Sequence, residues 1–73
     1  MIYLIEHKNE DQMYCIYLSK EVKSIISDFD FNKGKNHSYI FVLKNGEEIE
    51  AKKFVKVENS YEIEIFLNKW RNL

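Results

Sequence analysis

Residues 38–52 read SYIFVLKNGEEIEAK, and this stretch decides the fold. Two strand-like runs flank the pair Asn45-Gly46, which is the strongest short-range signal for a β-hairpin. A type I′ turn requires a positive φ at both central positions, and Asn and Gly tolerate that conformation best. The stretch therefore predicts two antiparallel strands joined by a two-residue turn.

A two-residue turn also determines which side chains share a face of the hairpin. It places Val42 opposite Ile49 and Ile40 opposite Ala51. Because strand side chains alternate between faces, these four are expected to form the core face. The second face carries a row of apolar side chains, which we call the aromatic row, against charged ones: Tyr39, Phe41 and Leu43 against Glu48, Glu50 and Lys52. The aromatic row requires a cover, and the candidates are another element of the chain, a second copy or a partner.

The N-terminal half of the sequence predicts further strands. Residues 2–6 and 13–18 are nearly continuous apolar runs joined by a polar loop, which favours two strands buried on both faces. Residues 20–31 fit either a short helix capped by Ser19 or a third strand. We favour the strand, because the serines and aspartates of this segment are poor helix formers.

A helix is predicted at the C-terminal end of the sequence. Asn59 and Glu62 form a capping box. No turn residue interrupts the segment up to Trp70, so a helix of about three turns is expected. Its predicted face consists of Tyr61, Ile65, Phe66, Lys69, Trp70 and Leu73. We expect this face to cover the aromatic row of the hairpin.

Together these elements predict an α+β fold, with a small antiparallel meander sheet of four to five strands and a C-terminal helix. An all-β small barrel is the alternative. Residues 1–73 are expected to form a single compact domain. A domain of this size buries only about 60% of its unfolded surface. The lone Cys15 cannot form an internal disulfide, so a homodimer or a tight complex is expected to add burial.

The start of the sequence lacks the features of a secretory signal. Glu6 follows the short apolar run at once, and no basic segment precedes that run. No apolar stretch approaches membrane-spanning length, and a free cysteine is typical of a reducing compartment. We therefore expect a cytoplasmic protein with no membrane partner.

The sequence contains no set of residues that indicates catalysis. The segment Asp28–Gly34 alternates oxygen-bearing side chains like the start of a calcium loop, but Tyr39 occupies the position of the bidentate glutamate. Its aromatic residues, Phe29 and Phe31, instead suit an inward-facing strand pair. Neither histidine has a second His, Cys or acidic residue at ligand spacing, apart from Glu6 beside His7. We expect neither an enzyme nor a bound cofactor or metal.

Composition and charge favour a binding function. The chain has ten lysines against one arginine, a bias typical of AT-rich coding in a low-GC bacterium, phage or plasmid. The leading interpretation is a non-enzymatic interaction protein, specifically a phage or mobile-element inhibitor of a host protein such as a defence-system component. Residues 32–56 hold six lysines against three glutamates. The alternative is therefore a small nucleic-acid-binding domain that uses the basic central hairpin.

The expected partner-binding site lies where the helix meets the hairpin. Its anchors are aromatic, because Trp and Tyr dominate interface hot spots, and its rim is charged. The full candidate set is Tyr39, Phe41, Glu50, Lys52, Lys53 and Trp70.

Overall fold

The chain forms one antiparallel sheet of five strands with a helix packed on one face. The computed structural model describes residues 1–72. The strands are β1 (Ile2–His7), β2 (Tyr14–Leu18), β3 (Val22–Asp30), β4 (Lys35–Leu43) and β5 (Glu48–Val57). A 3₁₀ helix (Ser19–Glu21) links β2 to β3, and helix α1 (Ser60–Arg71) follows β5. The predicted α+β fold is confirmed, as is the strand predicted within residues 20–31.

The sheet is strongly curled. Its strand order is β2-β1-β5-β4-β3, so β2 and β3 are the two edges, yet only the three residues of the 3₁₀ helix separate them in sequence. In a flat sheet, four strand gaps span about 19 Å, whereas the chain from Leu18 to Val22 reaches at most about 15 Å. The sheet therefore bends until its edges approach. Within residues 1–72 the two edges do not pair, so the sheet stays open and the alternative barrel is wrong.

The concave face of the sheet holds the main core. Phe41, Ile5 and Ala51 are completely buried there. The ring of Phe54 lies edge-on to Tyr39 and to Phe41, with centroids 4.9 Å apart in both pairs, a geometry that the ring quadrupoles favour. Side chains from both edge strands pack against this same cluster: Cys15, Tyr17, Val22 and Ile25. Because the sheet is curled, side chains from its two opposite edge strands can contact the same cluster.

Helix α1 begins at the predicted cap. Oδ1 of Asn59 accepts the backbone N–H of Glu62 at 3.2 Å, and Oε2 of Glu62 accepts the N–H of Glu58 at 2.9 Å. The first bond satisfies a donor that the helix itself leaves unpaired, and the second fixes the residue that precedes the cap. The prediction that Asn59 caps the helix is therefore confirmed by its bond to the N–H of Glu62.

The helix covers the convex face of the sheet and not the aromatic row. The residues that form this second core are Leu4, Val57, Ile63, Phe66, Leu67 and Trp70. The predicted cover of the aromatic row by the helix is wrong, since that row lies on the concave face. The predicted helix face is shifted as well, because Tyr61 and Ile65 are exposed while Ile63 is buried. Leu73 lies outside the described residues.

The β4–β5 hairpin is present, but its turn has three residues, Lys44 to Gly46. The N–H of Gly46 donates to the carbonyl of Leu43 at 3.0 Å, and the N–H of Leu43 donates to Glu47 at 2.8 Å. Only Gly46 has a positive φ, of 94°. This is a type I turn followed by a glycine, the usual three-residue hairpin. The predicted two-residue turn is wrong, and Asn45 instead caps the turn through Oδ1, which accepts the N–H of Glu47 at 2.9 Å.

The extra turn residue shifts the register by one and exchanges the faces. Phe41 pairs with Ile49 and Tyr39 pairs with Ala51. A one-residue slip moves every side chain of one strand to the other face. The aromatic row therefore joins Ile49 and Ala51 in the core. Ile40 and Val42, which were expected in the core, lie half-buried on the convex face opposite two glutamates, Glu50 and Glu48.

A β-bulge in β5 changes, for a second time, which face of the sheet the following side chains occupy. Glu6 pairs with Lys53 and His7 pairs with Ala51, so Lys52 is the extra residue. Bulges bend a strand and redirect the side chains beyond them. As a result Lys53 lies on the helix side, and Phe54 continues the concave aromatic cluster.

The two N-terminal strands differ in burial. Leu4, Ile5 and Glu6 of β1 are buried, because β1 lies between β2 and β5. By contrast, Ile16 and Leu18 of β2 are exposed, because β2 is an edge. The expectation of burial on both faces is therefore wrong for β2.

Replacing Gly46 with valine is expected to destabilise the fold by roughly 1–3 kcal/mol, because a β-branched residue resists positive φ. Apart from the adjoining residues of the chain, no atom lies within 4 Å of the position that a Cβ of residue 46 would take, so the penalty is conformational and not steric. Urea unfolding followed by circular dichroism measures this loss. The matched control is Lys44→Val in the same turn, where φ is not positive. Equal losses in both variants would contradict the turn described above.

Candidate interaction surfaces

Acidic and metal-binding side chains do not converge in the described part of the chain. No group of three or more His, Cys, Asp or Glu within residues 1–72 could hold a metal ion. In the calcium-like segment, Oδ1 of Asp30 accepts the backbone N–H groups of Asn32 at 2.9 Å and of Lys33 at 3.3 Å. This carboxylate therefore stabilises the β3–β4 turn. No helix in residues 1–72 has the length and apolar character needed to cross a membrane.

The predicted anchors do not share one surface. Phe41 is completely buried in the concave core. Tyr39 is half-buried in the same core, whereas Trp70 packs on the convex face with the helix. A partner that touched both Tyr39 and Trp70 would have to reach both sides of the sheet.

The predicted rim residues all form ion pairs within the chain. Lys52 lies 3.5 Å from Asp11, and Glu50 lies 3.7 Å from Lys8. Nζ of Lys53 lies 3.4 Å from Oε1 of Glu6. The Lys52–Asp11 pair is exposed and the Lys8–Glu50 pair is about half-exposed, and ion pairs near the surface contribute little to stability.

The Glu6–Lys53 pair has a structural role. Glu6 is only 5% exposed, and its Oε2 also accepts the backbone N–H of Gln12 at 3.3 Å. Nζ of Lys53 lies 4.6 Å from the centroid of the Trp70 ring, a cation–π distance. The pair thus joins β1, β5 and α1. Sequence reasoning missed Glu6, because a glutamate at the end of an apolar run resembles the first residue of a solvated loop.

The lysines of the central region are spread over the molecule. Lys35 begins β4 and Lys44 follows its end, so about 30 Å of strand separates them. Lys52 and Lys53 are paired with carboxylates, and Nζ of Lys56 lies 5.5 Å from the Tyr3 ring centroid. The described residues therefore form no continuous basic groove from these side chains.

The β3–β4 turn carries an exposed aromatic pair, which we call the aromatic tip: Phe29 and Phe31. Phe31 is 87% exposed, the highest value among the large apolar side chains of residues 1–72. The two rings contact each other edge-on, with centroids 5.0 Å apart. The prediction of an inward-facing pair is wrong, because Phe31 lies beyond the end of β3 and no longer follows the strand alternation. The signal available in the sequence was Asp30 itself, because aspartate is a residue type that commonly starts a turn.

A second exposed apolar surface follows the edge strand β2. We call it the β2 edge, and its exposed side chains are Met1, Met13, Ile16 and Leu18. A shallow groove runs from Met13 and Ile16 to Leu67 and Arg71 of the helix. Cys15 faces the other way, into the concave core, and burial raises the pKa of its thiol. A protonated, half-buried thiol is a poor nucleophile.

No protein-family model, curated protein or solved structure matches this chain. Candidate interaction surfaces are therefore identified from the exposed apolar side chains alone. Two surfaces stand out, the aromatic tip and the β2 edge. They belong to the two opposite edge strands of the sheet.

Proposed function

We propose that this chain is a non-enzymatic interaction protein that binds a protein partner through its aromatic tip. The observation that carries the proposal is the 87% exposure of Phe31. Aromatic side chains bury a large area with few rotatable bonds, and they dominate interface hot spots. An exposed aromatic pair at the end of a hairpin suits insertion into an apolar pocket of the partner.

The aromatic tip is ordered before it binds. The carbonyl of Asp30 accepts the N–H of Gly34 at 2.9 Å, and the Asp30 carboxylate accepts two further N–H groups of the turn. The Phe29 ring supports Phe31 from the side. A preorganised loop loses little conformational entropy on binding, which favours affinity.

The rim of the tip has mixed charge. Asp28 and Asp30 precede the turn, Lys33 lies within it and Lys35 follows it. An apolar centre with a polar rim is the usual anatomy of a protein–protein interface. A narrower form of the proposal is an inhibitor that occludes a host protein, for example one encoded by a phage or mobile element against a defence system. The lysine-rich, arginine-poor composition supports that narrower form.

The second candidate function is binding to single-stranded nucleic acid at the same tip. Phe31 next to Lys33 and Lys35 could stack on a base while the ammonium groups approach phosphates. The adjacent aspartates disfavour phosphate, and no arginine lies in this segment. We therefore prefer the protein partner.

The substitution Phe31→Ala is expected to weaken partner binding at least about tenfold, because it removes the central anchor. Its stability should stay within about 0.5 kcal/mol of the wild type, since Phe31 is exposed. The immobilised wild-type chain first isolates a partner from lysate of a low-GC bacterium, and titration of the purified partner then measures affinity. The matched control is Tyr61→Ala, which removes another exposed ring, on the helix. Equal affinity of the Phe31→Ala and wild-type chains would refute the proposal.

Salt dependence separates the two candidate functions. Binding to phosphates weakens steeply as salt rises, because counterions are released. Binding through an aromatic anchor should change little over the same range. A steep loss of affinity with salt, together with loss in Phe31→Ala, would favour the nucleic-acid alternative.

A further inference from the structure

The two edges of the sheet differ in how they are protected against pairing. Natural proteins protect exposed edges with charges and bulges. The β3 edge has both, since it carries Lys23, Asp28 and Asp30 and its register with β4 shifts twice. The β2 edge strand consists of five uncharged residues, Tyr14–Leu18, and its register with β1 is uninterrupted.

The backbone of β2 offers donors and acceptors on its outer side. The carbonyl of Met13 accepts the N–H of His7 at 2.8 Å, and the N–H of Ser19 donates to Met1 at 2.9 Å. Bonding alternates along an antiparallel strand, so the odd-numbered residues of β2 bond to β1. The N–H and C=O groups of the other residues, Tyr14, Ile16 and Leu18, therefore point away from the sheet. The Glu21 carboxylate accepts the N–H of Leu18 at 2.9 Å.

We propose that the β2 edge pairs with the β2 edge of a second copy of this chain, antiparallel across a two-fold axis at Ile16. This pairing joins two sheets into one continuous sheet. It places Ile16 opposite Ile16 of the second copy, and Tyr14 opposite Leu18. All three residues point their backbone N–H and C=O groups outward. Each opposed pair can therefore form a hydrogen-bonded antiparallel pair, in which the two residues exchange both N–H···O bonds.

The side chains are self-complementary in this arrangement. The exposed apolar groups of Ile16 and Leu18 meet Ile16 and Tyr14 of the second copy, and cross-strand apolar pairs stabilise a sheet. No charged residue of one β2 faces another, since β2 contains none. A two-fold axis doubles every contact, so an uncharged strand suits it and a strand with charged residues does not.

The charges that flank β2 are complementary under the same symmetry. The Arg71 guanidinium lies 5.7 Å from the Tyr14 ring centroid at one end of β2, while Glu21 lies against Leu18 at the other. Opposing Tyr14 to Leu18 brings Arg71 towards Glu21 of the second copy, and this happens twice. Within residues 1–72 Arg71 forms no salt bridge in the single chain. Pairing also lets the Tyr14 carbonyl of the second copy replace the Glu21 carboxylate on the N–H of Leu18.

The test is sedimentation equilibrium of the full chain over a wide concentration series. The wild type is expected to dimerise, and Ile16→Lys is expected to raise the dimer dissociation constant at least about tenfold, because two ammonium groups meet at the axis. The matched control is Ile26→Lys on the β3 edge, since Ile16 is 53% exposed and Ile26 is 51% exposed. This control should dimerise like the wild type. A wild type that stays monomeric, or equal dissociation in both variants, would overturn the proposal.

Cross-linking tests the register and keeps the proposal falsifiable if Ile16→Lys fails to fold. In a Cys15→Ala background, Ile16→Cys places two thiols across the axis, and a short bifunctional thiol reagent should link the copies. The control Ile26→Cys in the same background should remain unlinked. Linkage at residue 26 but not at residue 16 would show that the copies meet through the β3 edge and would refute the β2 pairing. Neither measurement depends on the aromatic tip, so the two proposals can fail independently.

Discussion

Phe41→Ala is expected to lower the free energy of unfolding by about 3–5 kcal/mol, the usual range for deleting a buried aromatic ring. Phe41 is completely buried and lies edge-on to Tyr3 and Phe54, at centroid distances of 5.3 and 4.9 Å. A single core in a domain of this size rarely supplies more than about 3–5 kcal/mol of stability, so a large fraction of the variant should be unfolded. Urea denaturation followed by tryptophan fluorescence and circular dichroism gives the change.

The control for this prediction is the same chemical change at the surface. Phe31→Ala deletes an identical ring from a side chain that is 87% exposed, and its unfolding midpoint should match the wild type. If Phe41→Ala were as stable as Phe31→Ala, the concave core would be misassigned and the sequence-based expectation of Phe41 as a partner anchor would regain support.

Lys53→Met is expected to destabilise the fold by about 2–3 kcal/mol, because it leaves the buried Glu6 carboxylate without its cation. This loss lies below the usual range of about 3–5 kcal/mol for breaking a fully buried pair, since Lys53 is itself partly exposed. Methionine keeps the apolar contact with Trp70, so the loss of stability measures the effect of removing the Lys53 ammonium charge. Chemical denaturation measures it, and Lys52→Met is the matched control. Lys52 pairs with the exposed Asp11, so its loss should stay below about 0.5 kcal/mol.

The double variant Glu6→Met/Lys53→Met should recover most of that stability. Replacing both members of a buried ion pair with apolar groups of similar size is often neutral, whereas removing one member is costly. A double variant that is less stable than Lys53→Met alone would contradict this account. It would show that Glu6 acts mainly through its bond to the N–H of Gln12 and not through Lys53.

The sequence predicted the secondary-structure elements better than it predicted which face of the sheet each side chain occupies. The hairpin, the strand after residue 20 and the capped helix followed from local signals that act within a few residues. The length of the β4–β5 turn did not, because Asn45-Gly46 fits both a two-residue turn and the end of a three-residue turn. What decides between them is burial: the observed register places Phe41 and Leu43 in the core in place of Ile40 and Val42, and larger apolar side chains gain more free energy when buried.

The curl of the sheet and the bulge at Lys52 depend on contacts between distant segments, so no local pattern reveals them. They explain why the helix lies on the convex face and why Tyr39 and Trp70 are separated by the sheet. The aromatic tip was missed for a simpler reason. Strand alternation was extended one residue too far, to Phe31, although β3 ends at Asp30. Whether any of the predicted anchor and rim residues contacts a partner stays a prediction.

The position of β1 in the sheet also shapes how the molecule folds. The β1–β2 hairpin and the β3–β4–β5 segment each join neighbours in sequence, and such local pairings form quickly. The ladder between β1 and β5 joins Ile2 to Val57 and is the only strand pairing in residues 1–72 that links these two halves. Closing so long a loop carries an entropic penalty that local pairings avoid. We therefore expect the docking of β1 on β5 to limit the rate of folding, and until it occurs Tyr3 lacks its contacts with Phe41 and Phe54.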